Sequence, residues 1–240
     1  MFGTNELTKP FRREDGSLLV SEWFHTIQGE GPDAGLSAVF VRLAKCNLAC
    51  WFCDTDFSNG TWMDAETLFK EIIMLAKSKE CKLIVLTGGE PLLQNVIPFV
   101  NECNSNGISV SIETAGTIWL EGLNYWFHPT RCIKGNLVVC SPKTPKINDQ
   151  ITELVGAYKY IIRDNEIDIQ DGLPITSTQT KGAPAKLFRP VLVDEVPIFI
   201  QPLDENEAEA NIRNMQTAAK VCMKYGYRLS LQMHKIVGLP

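Results

Sequence analysis

The sequence has no basic excess: 23 Lys and Arg stand against 28 Asp and Glu, a formal net charge of −5. With so few cations to spare for phosphates, a dedicated nucleic-acid binder is disfavoured. No uninterrupted apolar run is long enough to cross a bilayer. The opening, Met1-Phe2-Gly3-Thr4-Asn5-Glu6, lacks the basic-then-apolar layout of a signal peptide. No internal repeat or low-complexity tract interrupts the chain. At 45% hydrophobic and 21% charged residues it is not a disordered polypeptide. These absences predict a soluble cytoplasmic protein in which residues 1–240 form one domain with a sizeable core.

What is present is an alternation of strands and helices. Residues 37–44 (SAVFVRLA) are rich in Val and Phe, as strands are. Asp64 can cap a helix in which Leu68, Ile72, Leu75 and Ala76 recur at helical spacing. Residues 82–87 read as a buried strand ending at a Gly-Gly turn, and a helix is expected over 92–105, closed by Asn106-Gly107. Further strands are expected at 108–113, 137–141, 158–162 and 197–201. A long helix over 206–225 with Gly226 beyond its end precedes a last strand at 228–232. Such alternation implies a parallel sheet, either open or closed wholly or partly into a barrel, and periodicity does not choose between them.

In both architectures catalytic groups gather at the carboxyl ends of the strands. There stand Lys45-Cys46, Gly88-Gly89-Glu90, Glu113-Thr114, Ser141-Pro142-Lys143, Gln201-Pro202 and Gln232-Met233-His234. Residues 163–195 show no periodic element, which is long for a connection; they read as a solvated surface excursion or as an active-site flap.

Eight cysteines need explaining. In a reducing cytosol a disulfide framework is not expected, and a chain of this length does not need one. Cys81, Cys103, Cys132, Cys140 and Cys222 are scattered and read as small buried hydrophobes. Cys46-Asn47-Leu48-Ala49-Cys50-Trp51-Phe52-Cys53 is different, with the spacing C-x3-C-x2-C. Thiolates packed on one loop repel each other unless a metal neutralises them. Structural zinc usually wants four protein ligands, and no fourth Cys or His lies at finger-like spacing. A [4Fe–4S] cluster is usually held by four cysteines. Held by three, it keeps one iron open to a small molecule.

This loop resembles the motif of radical S-adenosylmethionine (SAM) enzymes, C-x3-C-x-aromatic-C, with Phe52 as the aromatic. Gly88-Gly89-Glu90-Pro91 resembles that superfamily's second mark, the stretch that receives the SAM amino group. Two glycines let backbone approach a ligand closely, and Glu90 offers a carboxylate to an ammonium. Thr26-Ile27-Gln28-Gly29-Glu30-Gly31, Cys53-Asp54-Thr55-Asp56 and Gln232-Met233-His234-Lys235 narrow the resemblance to the 7-carboxy-7-deazaguanine synthase family. It runs from Glu22 to Pro240, apart from 163–195.

The resemblance implies an α/β fold, an incomplete (β/α)6-type radical SAM barrel with parallel strands, assembled as a homodimer. It implies ring contraction of 6-carboxy-5,6,7,8-tetrahydropterin to 7-carboxy-7-deazaguanine with loss of ammonia, a step of queuosine-type 7-deazapurine biosynthesis. The implied cofactors are a [4Fe–4S] cluster, SAM and Mg2+, with a flavodoxin- or ferredoxin-type reductant as partner.

Roles follow position by position. Cys46, Cys50 and Cys53 would hold the cluster, and Phe52, Asp54, Gly88, Gly89, Glu90, Ser141, Lys143, Gln201 and Asp204 would contact SAM. Ile27, Gln28, Gly29, Glu30, Arg42, Thr87 and Glu113 match pterin-binding positions, with His234 and the Pro240 carboxylate completing the pocket. Thr55 matches the Mg2+ ligand. Ala115 departs from the family, whose members often carry Asn or Ser there.

Plainer readings stand beside these. Arg42 in a strand could be an ion-paired structural residue, and His234 a surface histidine at a strand end. Glu90 could cap the helix that starts at Pro91, while Glu30 and Asp56 could be solvated loop charges. His25 and His128 have no supporting constellation and read as structural. The rival functions are an activating enzyme that makes a glycyl radical on a partner protein, and a non-enzymatic iron–sulfur or zinc module.

Overall fold

Short apolar runs rich in Val and Ile become strands when both of their faces can be covered. Among the described residues nine of them join into one sheet, in the order β3-β1-β2-β4-β5-β6-β7-β8-β9. In the computed structural model, which describes residues 6–77, 80–127, 135–191 and 196–240, the strands are β1 (Leu18–Ile27), β2 (Ser37–Leu43), β3 (Thr61–Met63), β4 (Leu83–Gly88), β5 (Ser109–Thr114), β6 (Leu137–Cys140), β7 (Val155–Ile162), β8 (Ile198–Pro202) and β9 (Arg228–Leu229). From β2 to β9 every pairing is parallel; β1 joins β2, and β3 joins β1, antiparallel. The helices are α1 (Ala65–Lys77), α2 (Ile97–Ser105), α3 (Leu123–Phe127), α4 (Asp149–Thr152), α5 (Ala208–Tyr225) and α6 (Met233–Ile236).

Alternation along each strand divides the sheet into two environments. On one face Val39, Val41, Leu43, Ile84 and Leu86 join the main core with Leu68, Phe69, Ile72 and Ala76 of α1 and Phe99, Val100 and Cys103 of α2. On the other face Ala38, Leu83 and Val85 form a small separate cluster against Phe40. Two residues further on, that inner face turns polar: Arg42 follows Phe40, and Thr87 follows Val85. The apolar lower half thus supports a polar upper half at the strands' carboxyl ends.

Several expected boundaries move. The helix expected over 92–105 is split into a 3-10 turn at Pro91–Leu93 and α2, because Pro98 fits only in the first turn of a helix. Between them Gln94 turns inward, its side chain bonded to Leu19 N, Leu19 O and Ala44 O at 2.7–3.2 Å. The last strand is only two residues long, and the chain then turns into α6. α5 begins later than expected, at Ala208, where the Glu207 carboxylate accepts the amides of Glu209 and Ala210. It ends at Gly226, whose φ of 76° is left-handed. Gly226→Ala is expected to lower stability by about 1 kcal/mol, read as a lower urea midpoint at unchanged slope.

The described part of 163–195 is packed rather than loose. Ile167 pairs with Pro174 and Thr176 with Pro184 as antiparallel bridges. Tyr225 of α5 donates its hydroxyl to Ile169 O at 2.6 Å, and Thr217 donates to Asp164 at 2.7 Å. Residues 192–195, His128 and Cys132 lie outside the described residues. Cys81, Cys103, Cys140 and Cys222 are free and buried, as the sequence predicts. Among the described residues, no helix is long and apolar enough to cross a membrane.

Candidate functional site

A cavity of about 710 Å3 opens at the carboxyl ends of the parallel strands. Of the site residues expected from sequence, all but Ile27 and Gly29 line it. Strand alternation explains Ile27: Thr26 and Gln28 point into the cavity, so the residue between them points away. Gly29 serves packing. A Cβ there would overlap the His234 ring, and the Gly29 carbonyl accepts the Met233 amide at 3.1 Å. This close approach seats α6 at the mouth of the cavity.

The cavity floor is an ionic network centred on Lys159, a residue the sequence reading did not single out. The residue is 5% exposed, and its ammonium bonds Glu30 Oε2 and lies 3.5 Å from Glu113 Oε2. Gln201 and Gln232 donate their amides to Glu30 Oε1 at 3.1 and 2.9 Å. Gln28 donates to Glu113 Oε1 at 3.2 Å and accepts the Glu30 amide, while Thr87 donates to Glu113 Oε2 at 3.4 Å. Burial pushes the Glu30 carboxyl up, but the Lys159 ammonium, its hydrogen bond and that of Gln232 outweigh burial and hold it at about 2. Burial likewise opposes the charge on Lys159, and Glu113 and Glu30 overcome it, raising its pKa. Glu30 is therefore no solvated loop charge. Gln201 Oε1 is buried without a partner, an acceptor left for a ligand.

The Gly-Gly-Glu segment is held for a reason other than ligand approach. A Cβ on Gly89 would overlap the Lys45 carbonyl oxygen, and one on Gly88 would overlap the Leu43 backbone. Gly88 also has a φ of +116°. The missing side chains let Gly89 N reach Leu43 O at 2.9 Å and Glu90 N reach Lys45 O at 3.0 Å, fastening this turn to the start of the cysteine loop. Glu90 is 1% exposed and accepts from Leu92 N, Thr114 Oγ1 and Ala115 N, so it caps the turn after it while lining the cavity. Burial raises its carboxyl above the ordinary range.

Lys143 folds back onto Ser141, contacting its hydroxyl and its carbonyl, the latter at 3.0 Å; burial lowers the Lys143 ammonium's pKa. Arg42 pairs with Glu22 at 2.5 Å and lies over the Phe24 ring at 4.9 Å. Lys235 joins Asp54 at 3.3 Å to Asp204 at 2.9 Å; its hydrogen bond holds Asp204 at about 2. Thr55 donates to Asp54 at 3.2 Å, and Thr26 donates to Pro240 O at 2.9 Å. His234 lies on α6 rather than at a strand end, and burial lowers its pKa, disfavouring the charged imidazolium.

Cys46, Cys50 and Cys53 line one wall together. Burial pushes the Cys46 thiol up to about 12, and the neighbouring cysteines push it further in the same direction. Burial raises Cys53 as well, so the ionised forms of Cys46 and Cys53 would be favoured beside positive charge, which an iron cluster would supply. Among the described residues no three His, Cys, Asp or Glu side chains converge as a metal-ion site.

Comparison with known proteins agrees with this geometry. Residues 41–124 match the radical SAM superfamily model. The 7-carboxy-7-deazaguanine synthase of Rhodospirillum rubrum is 41% identical over 244 residues, covering 100% of both chains. That of Rickettsia prowazekii is 31% identical over 248 residues, covering 100% of this chain and 96% of its own. The crystal structure of QueE from Escherichia coli superposes with a TM-score of 0.62 at 22% identity, covering 90% of this chain and 93% of the other, which supports the partial-barrel fold. With full-length identity above 40% and the cysteine loop and Gly-Gly-Glu turn on adjacent parallel strands, the chain belongs to the 7-carboxy-7-deazaguanine synthase family of the radical SAM superfamily.

Proposed function

We propose that the chain is a radical SAM carbon–nitrogen lyase that contracts 6-carboxy-5,6,7,8-tetrahydropterin to 7-carboxy-7-deazaguanine and releases ammonia, in 7-deazapurine biosynthesis. The observation that carries this reading is the meeting of the three-cysteine loop and an amide–carboxylate floor in one cavity. Its 710 Å3 falls within the roughly 300–1,000 Å3 usual for small-molecule sites, favouring a small substrate over a glycyl radical on a partner protein.

In this reading Cys46, Cys50 and Cys53 hold a [4Fe–4S] cluster, and SAM lies against Phe52, Asp54, Gly88, Gly89, Glu90, Ser141, Lys143, Gln201 and Asp204. When bound, cluster and SAM supply a carbon-centred radical able to take hydrogen from an unactivated carbon. The chain's own groups do the rest. The amide edge and amino group of a pteridine need matched donors and acceptors, which Gln28, Glu30, Glu113 and Thr87 offer from one floor. Because Lys159 keeps Glu30 ionised, that carboxylate accepts hydrogen bonds and does not compete as a donor.

Arg42 shares its charge between Glu22 and the substrate carboxylate. Thr55 offers a hydroxyl oxygen to Mg2+, whose remaining positions would go to water and substrate oxygens. His234 and Pro240 close the pocket and exclude water from the reacting carbon, while Ile27 and Gly29 support that wall from behind, Gly29 by seating α6. The wider reading is one domain over 1–240, with 163–195 an elaboration on it. It extends to a homodimer served by a flavodoxin- or ferredoxin-type reductant in the cytoplasm, where the free cysteines would stay reduced.

The test is anaerobic reconstitution followed by mass spectrometry of products from SAM, reductant, Mg2+ and the carboxy-tetrahydropterin. Many turnovers of deazaguanine carboxylic acid per enzyme, with SAM largely conserved, are expected. Cys50→Ala is expected to abolish both product and 5′-deoxyadenosine. Pterin recovered unchanged while SAM is cleaved would refute the substrate and keep the class.

A further inference from the structure

The described part of the segment 163–195 reaches the site at the cysteine loop and at the Lys143 carbonyl. Thr178 O accepts the Trp51 amide at 2.9 Å, and Ser177 O accepts the Trp51 indole N–H at 3.1 Å. Gln179 grips the loop with both ends of its amide. Its Oε1 accepts Ala49 N at 2.8 Å, and its Nε2 donates to Cys50 Sγ at 3.3 Å. The same Nε2 lies 2.7 Å from Thr178 Oγ1, which donates to Lys143 O at 2.8 Å. The amide is thereby oriented from both sides, with its donor end on sulfur. Lys181 lies 5.0 Å from the Trp51 ring centroid, adding positive charge to the same wall.

The three cysteines are not treated alike. Cys46 Sγ receives the Leu48 amide at 3.4 Å, a bond made within its own loop. Cys53 Sγ faces Thr55 O at 3.6 Å, again within the loop. Cys50 receives a side-chain donor from a residue 129 positions away. A donor aimed at a ligating sulfur stabilises the more electron-rich, reduced cluster and so raises its reduction potential.

We propose that Gln179 is a positioning residue that donates a hydrogen bond to the Cys50 sulfur and raises the reduction potential of the cluster. This rests on the cluster assignment above and gives the packed segment a function: easing electron delivery from a weak reductant. The inference concerns redox poise and adds no group that touches substrate.

The test is an anaerobic redox titration of the reconstituted protein, followed by electron paramagnetic resonance without SAM, with iron counted in parallel. Gln179→Leu removes both hydrogen bonds without adding charge; Gln179→Glu keeps an acceptor for Ala49 and loses the donor. At a fixed ambient potential the ratio of reduced to oxidised cluster is expected to fall about tenfold in Gln179→Leu, equivalent to about 59 mV for a one-electron couple. The fall in Gln179→Glu is expected to be at least as large, with iron content unchanged in that variant. A ratio within twofold of the parent in both variants would overturn the proposal. So would loss of iron in Gln179→Leu accompanied by parental poise in Gln179→Glu, since that pattern marks a purely structural strap. Failure of the parent to take up a cluster would instead overturn the cluster assignment itself.

Discussion

Lys159→Met is expected to lower folding stability by about 3–5 kcal/mol, because it leaves two carboxylates facing a buried cavity without their cation. The effect carries a distinctive pH signature. In the parent, Glu30 sits at about 2, below its ordinary 4.5. Its contribution is therefore fully present above the ordinary value and is lost as pH falls from about 4.5 through about 2. Without the ammonium, burial dominates, and the folded state retains a proton that the unfolded state gives up. The sign then reverses, and the variant loses stability from this group as pH rises above its ordinary value. Urea midpoints of both proteins across pH 4 to 7 test this. Parallel curves would mean that Lys159 is only a volume in the floor.

Gly89→Ala is expected to be as damaging, for steric reasons. The added methyl group would overlap the Lys45 carbonyl oxygen, which is backbone and has no rotamer to escape into. Either the Gly89–Leu43 and Glu90–Lys45 hydrogen bonds break or the cysteine loop shifts. A loss of about 3 kcal/mol or more is expected, together with reduced iron uptake, because Lys45 directly precedes Cys46. Iron content and urea midpoint, measured on the same preparation, check it. Full iron loading at parental stability would show that the turn can yield.

Which parts of this molecule are legible in its sequence depends on whether the chemistry is contiguous. The cysteine loop and Gly88-Gly89-Glu90 are readable because their spacing lies within a few residues, and the parallel strands β4 to β8 because short Val- and Ile-rich runs alternate with helical periods. The reason for the glycines is not readable. What fills the space beside them is backbone from β2, which only the sheet brings there. Lys159 is hidden in VGAYKYII, where it looks like one charge in an apolar strand. Its meaning depends on Glu30, 129 positions away, and on Glu113. β1 escapes the reading because LLVSEWFHTI mixes polar and apolar residues on an antiparallel strand at the sheet's side. The anchoring of 163–195 is equally opaque, since a Gln in TSTQTK carries no local sign that it reaches a cysteine.

The bonds that close on Glu30 span 129, 171 and 202 positions of chain. Contacts of that separation form late in folding, after the entropy of closing long loops has been met. The eight residues of the cysteine loop need no such closure to come near one another. A refolding experiment should therefore find iron uptake and pterin binding separated in time, with uptake first. Variants that loosen β7 or β8 should erode substrate affinity while their cluster still colours the protein brown.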